Sequence, residues 1–176
     1  MIFVGGVHGV GKSHFCDIIA EQMDILICSA SKLIFDLKKE NPKEDKKVID
    51  IQKNQDYLVD AINQMNLKEN YVLDGHFCLL DSNGNVVRIP YNTFERINPQ
   101  AMIIICDSVD QIAQRLEERD GIIHDKDAIE NFQNEELKYA KEISDSLNIK
   151  YLVYNNSEEI DVAIDFIKNS ENEMEV

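Results

Sequence analysis

Apolar residues fall in short continuous runs, separated by stretches with helical spacing, and that alternation holds along most of the chain. Ile2-Phe3-Val4 predicts a buried strand, and Phe15, Ile18, Ile19, Ala20 and Met23 predict the helix after it. Asp24 to Cys28 predicts a second buried strand, followed by a helix from Ser29-Ala30-Ser31 to about Lys39 with Leu33, Ile34 and Leu37 on its apolar face. The charged stretch 40–47, with Pro42, predicts a solvated loop, and Val48 to about Met65 returns to helical spacing. Tyr71-Val72-Leu73-Asp74 predicts a short buried strand. Residues 77–89, turned at Asn83-Gly84, predict a β-hairpin that overhangs the end of that strand, with Pro90 closing it. A short helix, Asn92 to Ile97, leads to Ala101–Cys106, a run apolar enough to be a central strand buried on both faces.

Ser108 caps a helix that Gly121 breaks, Asp125 starts a long helix to about Leu147, and Ile149 to Tyr154 predicts the last strand. A final helix is expected from Ser157 to about Lys168, then a polar, acidic end that frays. Strands alternating with helices imply an α/β fold: a mostly parallel five-stranded sheet with helices on both faces. The expected organisation is a single domain over residues 1–170. Residues 29–70 form a helical excursion beside the site, 77–89 the hairpin, 119–125 a short lid and 171–176 an acidic tail.

Composition narrows the picture. With 176 residues and 44% hydrophobic content, one well-buried domain fits better than two. A net charge of −15 disfavours strong nucleic-acid or anionic-membrane binding. No apolar run approaches the roughly 18 residues of a membrane span. With the motif at residue 6, no signal peptide is expected. Cys16, Cys28, Cys78 and Cys106 lie in apolar stretches without C-x-x-C spacing, so reduced thiols and a cytoplasmic setting are expected.

The chemistry concentrates at the first strand–helix junction. Gly6, Gly11, Lys12 and Ser13 fit the P-loop pattern G-x-x-x-x-G-K-[ST], with a strand before it and a helix after it. Backbone N–H groups along Gly6, Gly9, Val10, Gly11, Lys12, Ser13 and His14 are then expected to face nucleotide phosphates. Lys12 would reach the β- and γ-phosphates of ATP, and the Ser13 hydroxyl would ligate Mg²⁺. Asp74, at the C-terminal end of its strand, is expected to hold the same ion. His8 is expected to shape the loop, and His124 to be exposed. His76 has three readings: orienting an attacking water, positioning an acceptor group, or a packed structural role. Arg115 and Arg119, one helical turn apart, either close over the transferring phosphoryl or form surface ion pairs with Glu118 or Asp120.

Taken together, these features resemble the nucleoside monophosphate kinases, most of all the small adenylate kinases of archaea and eukaryotic nuclei that are linked to small-subunit ribosome assembly. Asp74-Gly75-His76, with Cys78 after it, resembles the Asp-x-His of that group's Walker B segment. Arg115-Leu116-Glu117-Glu118-Arg119 resembles its Arg-Leu-x-x-Arg at a very short lid. Asn63-Gln64-Met65 is similar to the end of its acceptor-side helix, and Asn156-Ser157-Glu158-Glu159 to the loop that meets the nucleotide base. The resemblance implies a catalytic set of Lys12, Asp74, His76, Arg115 and Arg119, nucleotide contact at Asn156, and ATP with Mg²⁺ as cofactors.

Two features depart from that group. Residues 29–75 hold no Arg for an acceptor monophosphate, and the hairpin is more elaborate. Either Arg88 supplies the phosphate contact, with Lys32 the weaker candidate, or the acceptor is not a standard nucleotide. Three functions follow: a nucleoside monophosphate kinase first, then a kinase of a hydroxyl-bearing small molecule, then an ATPase acting on a protein partner. Such a partner would be basic, given the acidic chain.

Overall fold

The computed structural model describes residues 1–40, 51–65, 67 and 70–172. The main sheet holds five strands: β1 (Ile2–Gly5), β2 (Leu26–Ser29), β3 (Tyr71–Asp74), β6 (Ala101–Cys106) and β7 (Lys150–Asn155). Their spatial order is β2-β3-β1-β6-β7, and each neighbouring pair is parallel. The antiparallel hairpin of β4 (Cys78–Leu80) and β5 (Val86–Arg88) stands apart from it. Flanking helices are α1 (Lys12–Met23), α2 (Ala30–Glu40), α3 (Ile51–Met65), α4 (Tyr91–Ile97), α5 (Val109–Asp120), α6 (Lys126–Leu147) and α7 (Asp161–Asn172).

The middle of the sheet is its driest part. Ile2, Val4, Val72, Leu73, Met102 and Ile103 are fully buried, each worth about 1.5–3 kcal/mol of transfer free energy. Parallel register then delivers the chemistry. Asp74 pairs across to Val4 on one side and Ser29 on the other, so the ends of β1, β2 and β3 finish level beneath the P-loop.

Three expectations need correction. The strand after α1 starts at Leu26 and lies on the sheet edge, with Leu26 half exposed, because β3 intervenes between it and β1. The last helix starts at Asp161, since Ser157 bonds through its amide and hydroxyl to the Asn155 side chain and turns the chain there. It also runs on to Asn172, across the position where the tail was expected to begin. The expected loop over 41–47, the start of the third helix at Val48 and the tail residues 173–176 lie outside the described residues.

Local chemistry fixes the other boundaries. Ser108 accepts a hydrogen bond from the Gln111 amide and Asp125 one from the Asp127 amide, capping α5 and α6. Gly121 closes α5 in a left-handed conformation. The hairpin turns through Asp81–Asn85, where Asp81 accepts from the Asn83 and Asn85 amides.

Candidate active site

One cavity of about 800 Å³ opens over the C-terminal ends of the strands. Its first half is the P-loop. Gly6 (φ +144°) passes so close to β6 that a Cβ would sit 2.7 Å from the Ile105 carbonyl oxygen, which only glycine permits. Lys12 donates from Nζ to the Gly6 carbonyl at 2.7 Å. Burial pulls the Lys12 pKa down, while Asp74 and Glu136 pull the other way and favour the charged ammonium. Gly9, Gly11, Ser13 and His14 also line this half.

Asp74 faces Lys12 across the cavity floor. Burial raises its pKa and the Lys12 charge opposes that shift. Its Oδ1 is buried with no hydrogen-bond partner, a free carboxylate oxygen in the same cavity as the Ser13 hydroxyl. Among the described residues no cluster of three or more His, Cys, Asp or Glu side chains forms a metal cage. A hydroxyl plus one carboxylate nevertheless suits Mg²⁺, which keeps waters and takes its other ligands from phosphates. Ser13 and Asp74 therefore fit that ion.

The P-loop is braced from behind. Arg115 donates to the carbonyls of Gly9 (3.3 Å) and Val10 (3.2 Å) and pairs with Asp107 at 2.7 Å. Asn156 donates to the Val10 carbonyl and reaches Asp107. Asp107 is held in turn by Gln133 through two backbone bonds. Asn156 thus supports the loop and is not among the cavity-lining residues; neither are Gly6 and the buried Val10. Arg115 and Arg119 both line the cavity. Arg119 is also bonded to Asp120, its expected alternative, and His124 is half-buried against the same carboxylate rather than exposed.

The far half of the cavity differs in kind. Phe3, Leu58, Ile89, Phe94 and Ile97 supply apolar walls, and Gln55 and Thr93, both buried, add an amide and a hydroxyl. Thr93 Oγ1 has no hydrogen-bond partner. Gly75 lets the chain pass over Phe3, whose ring would lie 2.9 Å from a Cβ there.

The two acceptor-side cations expected from the sequence are not brought here. Arg88 bonds Glu142 at 2.6 Å and Glu135 at 3.2 Å and lies over the Tyr139 ring at 4.5 Å. The reason is that β5 packs on α6, whose carboxylates capture the guanidinium. Lys32 is exposed on α2, outside the cavity lining, whereas Ser29, Ala30, Ser31 and Ile34 line it.

Behind the P-loop lies a group that sequence reasoning missed. Glu136 of α6 is fully buried and accepts from the Phe77 amide (3.1 and 3.2 Å) and the Cys78 amide (3.2 Å). His76 Nδ1 stands 3.5 Å from its Oε1, and the His76 ring lies 4.4 Å from the His8 ring. Burial pushes Glu136 up to about 7 against the pull of its amide donors. Burial also lowers His76 to about 3, helped by the Lys12 charge. His8 falls to about 4, again mainly by desolvation although its ring reaches the cavity. Both imidazoles are therefore neutral at pH 7. A sequence signal for Glu136 did exist, as a lone carboxylate on the apolar face of α6 with Ile129, Phe132, Tyr139 and Ala140.

Comparison with known proteins agrees with this geometry. Residues 5–133 match the family model described as an AAA domain. An adenylate kinase of Thermoplasma acidophilum is 28% identical over 148 residues, covering 78% of each chain. A gluconokinase from Sinorhizobium meliloti shares the fold with a TM-score of 0.56 at 16% identity, over 97% of this chain and 93% of that one. A deoxyadenosine kinase from M. mycoides, solved with dCMP and dCDP, gives 0.55 at 17% identity over 98% of both. The chain belongs to the AAA domain family, and its fold is that of the P-loop kinases.

Proposed function

We propose that this protein transfers the γ-phosphoryl group of ATP to a nucleobase-bearing acceptor, most closely as a nucleoside monophosphate kinase. The observation that carries this reading is the two-ended cavity. Lys12, Ser13, Asp74, Arg115 and Arg119 gather at one end, and apolar walls with Gln55 and Thr93 at the other. A phosphoryl group in flight needs positioning and neutralised charge, which the first end offers. An aromatic base needs apolar faces and a few directed polar groups, which the second end offers. The Thermoplasma relative favours a monophosphate as acceptor.

In this reading the P-loop amides and Lys12 bind the donor phosphates, and Ser13 and Asp74 would hold Mg²⁺, which would supply charge neutralisation there. Arg115 and Arg119 meet the charge on the transferring oxygens from the lid side. Were the acceptor a hydroxyl instead of a phosphate, Asp74 would take its proton.

A second reading, a kinase of an uncharged hydroxyl acceptor such as a nucleoside, is favoured by the position of Arg88 away from the cavity. One assay separates them. ATP and Mg²⁺ are incubated with AMP, dAMP, CMP, UMP and GMP and, in parallel, with the matching nucleosides, and the products are resolved. A diphosphate product supports the first reading, and a monophosphate made from a nucleoside supports the second. ATP hydrolysis unaffected by every acceptor refutes a nucleobase-bearing acceptor and leaves a hydroxyl acceptor of another kind or an ATPase.

A further inference from the structure

A buried glutamate needs a reason. Glu136 is fully buried, and its desolvation is expensive enough to raise its pKa to about 7. Capping the Phe77 and Cys78 amides does not require a carboxylate, because a neutral carbonyl oxygen accepts the same bonds. What distinguishes a carboxylate is one more acceptor edge, and Oε1 presents that edge to His76 Nδ1 at 3.5 Å. Nδ1 is itself buried and has no hydrogen-bond partner. The two groups form a pair, each set to answer the other.

The pair also sits where it matters. His76 lies two residues beyond Asp74 and lines the cavity. Its ring rests on His8 of the P-loop, and His8 in turn faces Phe132, 6.5 Å between ring centroids. Phe132 and Glu136 are one turn apart on α6, so a single helix face meets both imidazoles. That helix starts five residues after the lid glycine, Gly121. Hence α6 touches the P-loop and the turn after Asp74 with one stripe.

We infer that Glu136 is a positioning residue for phosphoryl transfer: from behind the turn that follows Asp74 it fixes the ring orientation and tautomer of His76, and through that ring the His8 side of the P-loop. Which nitrogen of a neutral imidazole carries the proton is set by the hydrogen bond its other nitrogen makes. Glu136 facing Nδ1 selects one form, and the Gly6 carbonyl, which also hydrogen-bonds the ring, ties that form to the P-loop. Glu136 touches no reacting atom. Its effect passes through His76.

The test has two arms. The kinetic arm rests on the phosphotransferase reading above, whereas the spectroscopic arm does not, so the failure of one is distinguishable from the failure of the other. In the kinetic arm, Glu136→Gln keeps the volume and one acceptor oxygen but turns an amide NH₂ toward the pair. The expected result is a kcat lower by about tenfold or more, with the KM for ATP within about twofold of wild type. In a His76→Ala background the same change should cost less than about twofold, because the ring it acts on is gone. An equal loss in both backgrounds overturns the inference and makes Glu136 a backbone cap only.

In the spectroscopic arm, ¹⁵N-labelled histidine in the intact wild-type protein reports the two ring nitrogens of His76 at pH 7.5. The expectation is a single neutral tautomer with well-separated nitrogen shifts. A ring averaging between tautomers overturns the inference, even where Glu136→Gln fails to fold.

Discussion

The two ends of the cavity are built by different rules. At the P-loop end, Gly9, Gly11, Lys12 and Ser13 come from one stretch of sequence, and the loop's shape is largely local. At the opposite end, Phe3, Gln55, Thr93 and Ile97 come from β1, α3 and α4, far apart in the chain. The first end offers backbone amides and cations, the second apolar walls and two polar groups. A local motif can specify an anion site because every phosphate presents the same chemistry. An acceptor site must fit one molecule, so it is assembled by tertiary packing.

Substitutions at the two ends should therefore fail in different ways. Lys12→Ala has the largest expected effect, a loss of about a thousandfold in ATP turnover with every acceptor, since under the proposed function it removes the charge that meets the donor phosphates. Stability should hold or rise slightly, because burial works against the Lys12 charge. Acceptor-selective loss in that variant would break the division between the two ends.

At the other end, Thr93→Val deletes a buried hydroxyl that has no partner and keeps the side-chain shape. The fold should gain about 1 kcal/mol or stay neutral, read as a Tm at or above wild type. The KM for the acceptor should rise by about tenfold, with the KM for ATP unchanged. A stabilised variant with unaltered acceptor KM would mean that the hydroxyl meets no substrate.

The same contrast governs what the sequence could reveal. Gly6–Ser13, Asp74 and the strand–helix alternation are legible because their meaning is local: spacing, burial and strand ends. The place of Arg88 was not legible, because an isolated Arg on a hairpin has no partner in the sequence, and only packing shows that Glu135 and Glu142 of α6 hold it. Asn156 lay close to its expected place but braces Val10 from outside the cavity. Glu136 showed only as a lone carboxylate on an apolar helix face, since its partners, His76 and the Phe77 and Cys78 amides, stand about 60 residues earlier, a separation that no periodicity bridges. Leu26 belongs to an edge strand that reads as buried, because composition does not say which strand ends a sheet.

Acidification probes the region that joins the two ends. His76 titrates near 3 in the folded chain and near 6.5 when unfolded, so from pH 6.5 downward the unfolded chain takes up a proton that the folded one refuses, and the solvent-exposed His8, near 4, adds a smaller push the same way. That lowers stability. Glu136 acts in the opposite sense: folded near 7 and unfolded near 4.5, it binds its proton first in the folded chain between those values. Between pH 6.5 and 4.5 the His76 and Glu136 protons roughly offset, which leaves the smaller His8 contribution to favour unfolding. Tm should fall across that window, and should fall more steeply in Glu136→Gln, which removes the compensating proton. Equal slopes in the two proteins would take Glu136 out of the linkage.

Arg88→Ala should have the smallest effect and is the sharpest check on where the acceptor end stops. The guanidinium is partly exposed, pairs with two carboxylates that are themselves partly exposed, and covers the Tyr139 ring. Such pairs contribute about 1 kcal/mol or less, with a comparable increment from the ring contact. Thermal melting should thus show a drop of a few degrees, smaller in high salt, where the paired variant and wild type converge. Acceptor and ATP kinetics should match wild type within about twofold, because none of the lost contacts faces the cavity. A tenfold rise in acceptor KM would instead place Arg88 on the substrate, which requires the hairpin to leave Glu135 and Glu142 during turnover. The acceptor end would then include β5, and the choice between a monophosphate and an uncharged acceptor would turn on that movement.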